Sequence, residues 1–168
     1  NFLNDLQVIS SETLRIHGRK LTSYWIDKNN SWKSNTWNDF ILATRICNWL
    51  KNYNFFFNSA DEKFKKEMFN STLKQIEHLV KNFSNLKRNS DLIRIIKALI
   101  YASITIPNKK YYYQIAIFNL KSELTKQILN DGCHFQRNPK IHLQVLMDLL
   151  DIRTILNSTK KNVFFDLQ

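Results

Sequence analysis

Chemically capable side chains are concentrated in one short stretch of this sequence, residues 131–142. The stretch reads DGCHFQRNPKIH and holds two of the four histidines, one of the two glycines and one of the two prolines of the 168-residue chain. His134 and His142 could transfer protons or orient a substrate. Arg137 could hold a carboxylate or a sulfate through parallel hydrogen bonds. We therefore predict a functional site here, with both histidines as catalytic candidates and the arginine as a substrate ligand.

Ordinary turn chemistry accounts for part of the same stretch. Gly132 suits the left-handed residue that caps the end of a helix. Asn138 followed by Pro139 suits the cap and first turn of the next helix. Turn chemistry does not explain why two histidines and an arginine cluster at this point. These three residues therefore still indicate a functional site.

A second group of side chains could bind sugar. Arg45 and Asn48 lie three residues apart and share a face of a predicted helix, and Trp49 adds a flat aromatic surface. We predict that these three residues contact substrate. The alternative is a core tryptophan with an arginine at its edge. The same ambiguity applies to the other tryptophans, Trp25, Trp32 and Trp37.

The net charge of +11 indicates an acidic partner. Nucleic acid, anionic lipid and acidic polysaccharide all fit this charge. The alternative is that lysine is simply abundant, because the lysines are scattered rather than clustered. No basic helix is dense enough for groove binding, which disfavours nucleic acid.

Several functional classes leave no signature in this sequence. Cys47 and Cys133 are the only cysteines, and neither belongs to a metal-binding spacing. Glycine-rich phosphate loops and the common hydrolase motifs are absent. We therefore expect no cofactor and no metal. The longest apolar run, residues 92–106, is interrupted by Arg94 and Lys97, so no membrane span is predicted.

Hydrophobic periodicity predicts an all-α fold. Two glycines and two prolines are too few for the turns of a β-fold. Six helices are predicted, at about residues 2–28, 37–56, 64–83, 92–106, 110–129 and 140–156. One face of the first helix should point toward the core. This face carries Leu3, Leu6, Leu14, His17, Leu21 and Trp25. The fourth is apolar nearly all round and should be buried on both sides.

Short connections make consecutive helices antiparallel neighbours. Two architectures satisfy this constraint. One is an irregular bundle, and the other is an arc of helical hairpins that forms part of an α/α toroid.

The sequence resembles the helical domain of heparinase II/III-like proteins. That family shows a helix ending in E-x-Q-I-L, then D-G-G-H, an S-P or N-P step, and a helix with H and D-L-L. The segments 45–50 and 97–100 resemble its R-I-x-N-W and K-A-L-I patterns, and residues 1–6 are similar to its proteobacterial branch. The matching residues of the loop region are Gln127, Ile128, Leu129, Asp131, Gly132, His134, Arg137, Pro139, His142, Asp148, Leu149 and Leu150.

The resemblance implies that residues 1–168 are one helical domain, part of a larger α/α toroid that is completed by a C-terminal β-sandwich domain. Characterised members are polysaccharide lyases, which remove the C5 proton of a uronic acid and expel the 4-linked sugar. The resemblance thus implies a bacterial protein that binds acidic polysaccharide and cleaves it by β-elimination. It also implies that this stretch alone is not a competent enzyme. A periplasmic and a cytoplasmic location both remain open.

The sequence departs from the lyase pattern at two positions. Active members carry G-N-H before the K-A-L-I helix, and here that register holds Asn89, Ser90 and Asp91. They also carry a tyrosine before the last histidine of the loop, and here it is Ile141, which cannot transfer a proton. A catalytically degenerate carbohydrate-binding module is therefore the alternative to a lyase, and a basic helical scaffold is the third candidate.

Overall fold

The computed structural model describes residues 2–9, 11–86, 89–107 and 109–158, and these residues confirm the all-α prediction. A 3₁₀ turn covers Phe83–Asn85, and the described part of the chain contains no strand, only an isolated bridge between Ile128 and His134. Its eight α-helices are α1 (Phe2–Ile9), α2 (Glu12–Lys28), α3 (Asp39–Lys51), α4 (Tyr53–Phe56), α5 (Glu62–Asn82), α6 (Ser90–Thr105), α7 (Lys110–Gln127) and α8 (Pro139–Ser158).

The chain divides into two compact units, Asn1–Ser84 and Asn85–Gln168. The predictions of one domain and of a toroid stay predictions. In the first unit α2 packs against α1, α4 and α5, and α3 packs against α5. Large aromatic side chains fill much of its core because α4 and its neighbours supply them in close succession. One core cluster contains Leu3, Trp49, Phe56, Phe57, Ala60, Phe64 and Met68.

The prediction of one continuous first helix was wrong. α1 ends at Ile9 and α2 begins at Glu12. Ser11 has an extended backbone and its hydroxyl accepts a hydrogen bond from the Leu14 N–H at 3.2 Å. A serine in this arrangement starts a new helix because it satisfies one of the unpaired amides of the first turn.

The prediction of one helix over residues 37–56 was also wrong. Asn38 caps α3, because its side-chain oxygen accepts from the Phe40 N–H at 3.1 Å. Asn52 then separates α3 from α4, because its side-chain amide donates to the Asn48 carbonyl at 2.8 Å. Asparagine often competes in this way for helix hydrogen bonds.

The inward face of α2 differs from the predicted one. Gly18 and Thr22 are buried, whereas His17 and Leu21 are exposed. A Cβ on Gly18 would lie 2.6 Å from Cε1 of Phe56, which is fully buried. The helix therefore uses a glycine to admit a phenylalanine ring, and this contact sets its rotation.

In the second unit α6 packs against both α7 and α8. All of its apolar side chains except Ile104 are buried, as the sequence predicted. Asn89 caps its first turn through a hydrogen bond from the Asp91 N–H at 3.1 Å. α6 thus packs against both helices that flank the loop between α7 and α8.

Candidate functional site

The predicted stretch forms a loop between α7 and α8 that its own backbone cross-links. α7 ends at Gln127 because Ile128 adopts an extended conformation with φ −106° and ψ 118°. The Leu129 N–H donates to the Cys133 carbonyl at 2.9 Å, and the Phe135 N–H donates to the Gln127 carbonyl at 2.8 Å. These bonds give side chains in the loop defined positions without a regular strand or helix.

Two residues of the loop have left-handed backbones, Gly132 with φ 81° and Arg137 with φ 51°. The left-handed conformation of Gly132 was predicted, but its role as the cap of α7 was wrong. It closes a turn instead, with its N–H donating to the Leu129 carbonyl at 2.8 Å. A positive φ is uncommon for arginine, and the loop holds it through a 2.9 Å hydrogen bond from the Arg137 N–H to the His134 carbonyl.

The start of α8 is as predicted. α8 begins at Pro139. The side-chain oxygen of Asn138 accepts from the N–H groups of Lys140 at 3.0 Å and Ile141 at 3.4 Å. This cap fixes the direction in which the first turn of α8 leaves the loop, and that turn carries His142.

His134 is buried, with 0% of its surface exposed, and both ring nitrogens are engaged. Its Nδ1 accepts from the Gln136 N–H at 3.3 Å. The ring proton of neutral His134 must therefore be on Nε2, which donates to Oε1 of Gln127 at 3.2 Å. Burial, followed by the proximity of His142, lowers the pKa of His134 below its usual 6.5. The ring is thus neutral at pH 7 and anchors the loop, while its catalytic role stays a prediction.

Gln127 connects the loop to two helices of its unit. Its amide nitrogen donates to Oε2 of Glu123 and to the carbonyl of Asn89, both at 2.9 Å. The Gln127 side chain thus makes three hydrogen bonds, to Glu123, Asn89 and His134. Both Glu123 and Gln127 are buried. This role was not predicted from sequence, although two polar residues one turn apart on the same helix face as Ala116 and Leu120 are a usable signal.

His142 presents one ring nitrogen that is free within the described chain. Its Nδ1 accepts from the backbone N–H of His134 at 3.2 Å. Its own N–H donates to the Asn138 carbonyl at 2.9 Å in the first turn of α8. The ring is half-buried, so its Nε2 is the nitrogen left to meet a ligand.

Arg137 is exposed and bound to one carboxylate. Its guanidinium pairs with Oδ2 of Asp131, and its side chain is 57% exposed. The Cys133 N–H donates to the other oxygen of Asp131 at 3.0 Å, and this bond together with Arg137 lowers the pKa of the Asp131 carboxyl. A substrate carboxylate at Arg137 would therefore compete with Asp131. Both side chains line a surface cavity of about 410 Å³.

The two positions that depart from the lyase pattern serve other purposes. Ile141 is a half-buried aliphatic residue directly before His142. Asp91 lies in the first turn of α6, where Asn89 caps its backbone.

In the first unit, the predicted substrate ligand Arg45 is a half-buried cation. Its Nη1 donates to Gln75 and its Nη2 to the Thr36 carbonyl, both at 2.8 Å. Its guanidinium carbon lies 3.8 Å from the ring centroid of Trp25, a cation–π contact. Burial lowers the pKa of Arg45 to about 10, so it stays charged at neutral pH.

The structure brings Arg45, Asn48 and Trp49 to one cavity. This cavity has a volume of about 300 Å³, and Thr44 also contributes to its wall. Trp49 is only 4% exposed and packs edge-on against Trp25 with ring centroids 5.6 Å apart. Its ring is therefore part of the core and of the cavity wall at once. The remaining lining residues are Leu3, Phe40 and Ile41.

The other tryptophans differ in exposure. Trp37 is buried and its indole N–H donates to the Asn29 carbonyl at 3.2 Å. Trp32 is 63% exposed and is the tryptophan that solvent reaches most readily in the described chain.

A buried group of charges fixes α8 against α6. Asp148 is 1% exposed and accepts from Nζ of Lys97 at 2.5 Å and from Nε of Arg94 at 3.0 Å. Lys97 also bonds Asp151 at 3.0 Å. From sequence, Lys97 was an interruption of an apolar run and the first residue of the K-A-L-I pattern, and its buried partner was not predicted. A lysine inside a buried helix signals a buried partner, because an isolated charge there would be too costly.

The described residues contain no group of three or more His, Cys, Asp or Glu side chains placed to hold a metal ion. None of the helices in those ranges has the length and apolar character required to cross a membrane.

The resemblance implied a helical domain with a histidine-containing loop before its last helix, and the described residues show both features. Residues 20–166 match the family model described as heparinase II/III N-terminus, so the chain belongs to that family. It is therefore a helical domain of a heparinase II/III-like protein.

No curated protein and no solved structure gives a significant match to this chain.

Proposed function

We propose that this domain binds acidic polysaccharide that contains uronic acid. The observation that carries the proposal is the cavity that brings Arg45, Asn48 and Trp49 together. Arg45 supplies a positive charge in a partly desolvated place, where attraction to a carboxylate is stronger than in water. Asn48 adds an amide and Trp49 an aromatic side chain, and this combination suits a sugar acid.

The loop before α8 supplies a second set of contacts for the same class of polymer. Arg137 is exposed, and His142 presents Nε2. The net charge of +11 favours the approach of any polyanion. In the intact protein we expect a C-terminal β-sandwich domain as a further partner of this domain.

Cleavage by β-elimination is the second candidate function, and His142 favours it. A lyase needs a group that neutralises the carboxylate, a base and an acid. Ile141 cannot transfer a proton, and the bond from the His134 N–H keeps Nδ1 of His142 occupied. Binding without turnover therefore has the stronger support, and an active enzyme would need an acid or base from elsewhere in the intact protein.

The test uses the intact protein and a panel of polymers: heparan-like, chondroitin-like, alginate and bacterial polyuronate. Binding is followed by titration calorimetry, and cleavage by the ultraviolet absorbance of the unsaturated uronate that β-elimination produces. We expect binding to at least one polyuronate without an absorbance increase. An increase that disappears in His142→Ala, but not in His17→Ala as the exposed control, would establish a lyase. No binding to any polymer by a folded protein would refute the proposal.

A further inference from the structure

The side-chain environment of His142 points to a more specific role at this site. We propose that His142 contacts the polymer as a neutral hydrogen-bond donor through Nε2–H, which rests on the proposed function, and that His134 is the positioning residue that sets this tautomer. The ligand group would be a carboxylate or hydroxyl oxygen of a uronic acid. His142 would then act neither as a base nor as a cation in binding.

The direction of one hydrogen bond decides the tautomer of His142. The donor to Nδ1 is the backbone N–H of His134 at 3.2 Å, and a backbone amide cannot act as an acceptor through its nitrogen. Nδ1 must therefore carry a lone pair. A neutral imidazole has one ring proton, so that proton is on Nε2. The half-buried ring then offers a donor, and not an acceptor, to a ligand.

His134 holds the amide that makes this bond. Its ring is fixed from both sides, because Nδ1 accepts from the Gln136 N–H at 3.3 Å and Nε2 donates to Gln127 at 3.2 Å. Its backbone is also paired with Ile128 in an antiparallel bridge. Ring and backbone together leave the His134 N–H little freedom to turn away from His142.

A donor is the useful group for the class of ligand proposed. Carboxylate and sugar hydroxyl oxygens accept hydrogen bonds, and a donor to a charged oxygen contributes more than a neutral pair does. A base at the same place would need a bare Nε2. That form would put a proton on Nδ1, opposite the His134 N–H, and would break the bond between the two histidines.

The first experiment reads the tautomer directly by NMR on the intact protein at pH 8. Nitrogen-15 shifts separate protonated from bare ring nitrogens. We expect His142 entirely as the Nε2–H form. His17 is the internal control, because its Nδ1 lies 2.7 Å from the Thr13 carbonyl and must be the protonated nitrogen when it donates there. A mixture of tautomers at His142, or the Nδ1–H form, would overturn the proposal.

A matched pair of substitutions separates the two ring nitrogens. Asparagine reaches the position of Nδ1 and can accept from the His134 N–H, but it has no donor near Nε2. Glutamine places an amide donor near Nε2 and cannot act as a base or a cation. We expect His142→Asn to weaken polyuronate binding about tenfold to a hundredfold and His142→Gln to stay within about threefold. Equal losses in both would contradict the donor role.

The positioning role of His134 has its own readout. His134→Asn keeps an acceptor for the Gln136 N–H and removes the donor to Gln127. We expect the two ring nitrogen signals of His142 to move toward each other as the second tautomer appears, while far-ultraviolet circular dichroism keeps its helical signal. Unchanged His142 signals would refute the positioning role. If this variant does not fold, the wild-type spectrum and the His142 pair still decide the donor role.

These outcomes distinguish the inference from the function on which it rests. Polyuronate binding together with the wrong tautomer, or with equal losses in the two variants, refutes the donor and leaves the proposed function intact. No polyuronate binding at all refutes the proposed function, and with it the contact assigned to His142.

Discussion

The two regions predicted to touch substrate use arginine in opposite ways. Arg45 is held inside the first unit by Gln75, the Thr36 carbonyl and the face of Trp25. Arg137, in the loop before α8, is exposed and pairs with one neighbouring carboxylate. Both were predicted from sequence as ligands of an acidic group. A change at Arg45 should therefore affect both stability and binding. A change at Arg137 should mainly affect the electrostatic attraction between the loop and an acidic ligand.

Buried charges also stabilise the second unit, although Arg137 in its loop is exposed. The ion group around Asp148 fixes α8, whose first turn carries His142. Asp148→Asn should lower the free energy of unfolding of the second unit by about 3–5 kcal/mol, because it leaves Lys97 and Arg94 short of a buried partner. Urea denaturation measures the change. Asp27→Asn, which removes an exposed carboxylate near Lys28, is the control, and equal effects of both would contradict the account.

The contrast between the arginines predicts a large effect at one and none at the other. Arg45→Lys should lower the free energy of unfolding by about 2–4 kcal/mol, because the single nitrogen of lysine cannot take the positions of both Nη1 and Nη2. Arg137→Lys should leave the unfolding midpoint unchanged, since surface pairs contribute little. Paired denaturant titrations check this. An equal loss at both positions would remove the distinction between a half-buried and an exposed arginine.

The two glycines also differ between the two regions, because substitution at each should reduce stability for a different reason. Gly18→Ala should cost about 1–3 kcal/mol of stability, because the added Cβ meets the buried ring of Phe56. Gly132→Ala has open space around it, and its cost of about 1–2 kcal/mol should come from the left-handed backbone alone. Thermal unfolding of both variants and of Gly132→Asn separates the steric cause from the backbone cause, because asparagine tolerates the left-handed conformation. Failure of asparagine to recover stability would contradict the backbone explanation.

The smallest expected effect is a pH dependence that belongs to the loop region. Burial holds the pKa of His134 below its usual 6.5 in the folded state. At pH values below about 6.5 the unfolded chain therefore binds more protons, so stability must fall as the pH falls through this range. His134→Asn should reduce that fall. Unfolding free energies measured between pH 5 and 8 check it, and a slope that the variant leaves unchanged would assign the effect to another group.

Much of the fold was readable from sequence, for physical reasons that differ between elements. The scarcity of glycine and proline together with the 3.6-residue period indicated helices, and the all-round apolar pattern of α6 predicted its burial. The breaks at Ser11 and Asn52 were missed because each depends on a single side chain that bonds the backbone locally. The rotation of α2 was missed because it follows from the contact of Gly18 with Phe56, which is distant in sequence.

The candidate site was predictable in part. The residue types of the loop singled out His134, Arg137 and His142. What the sequence could not give is which histidine is buried, since this depends on the bonds that Gln127 makes to the loop and to α6. The burial of Arg45 likewise depends on Gln75, in another helix. Side-chain chemistry nominates a site, and long-range contacts assign roles within it.

The most direct test of the central claim compares three polymers with the intact protein at rising salt. One is the polyuronate that binds best, the second is the same polymer with its carboxylates reduced to alcohols, and the third is single-stranded DNA. The account predicts tight binding of the polyuronate, loss of binding on reduction, and a DNA affinity that is weaker and falls more steeply with salt. Equal affinities for polyuronate and DNA, with equal salt dependence, would show that charge density alone is recognised and would contradict the proposed function.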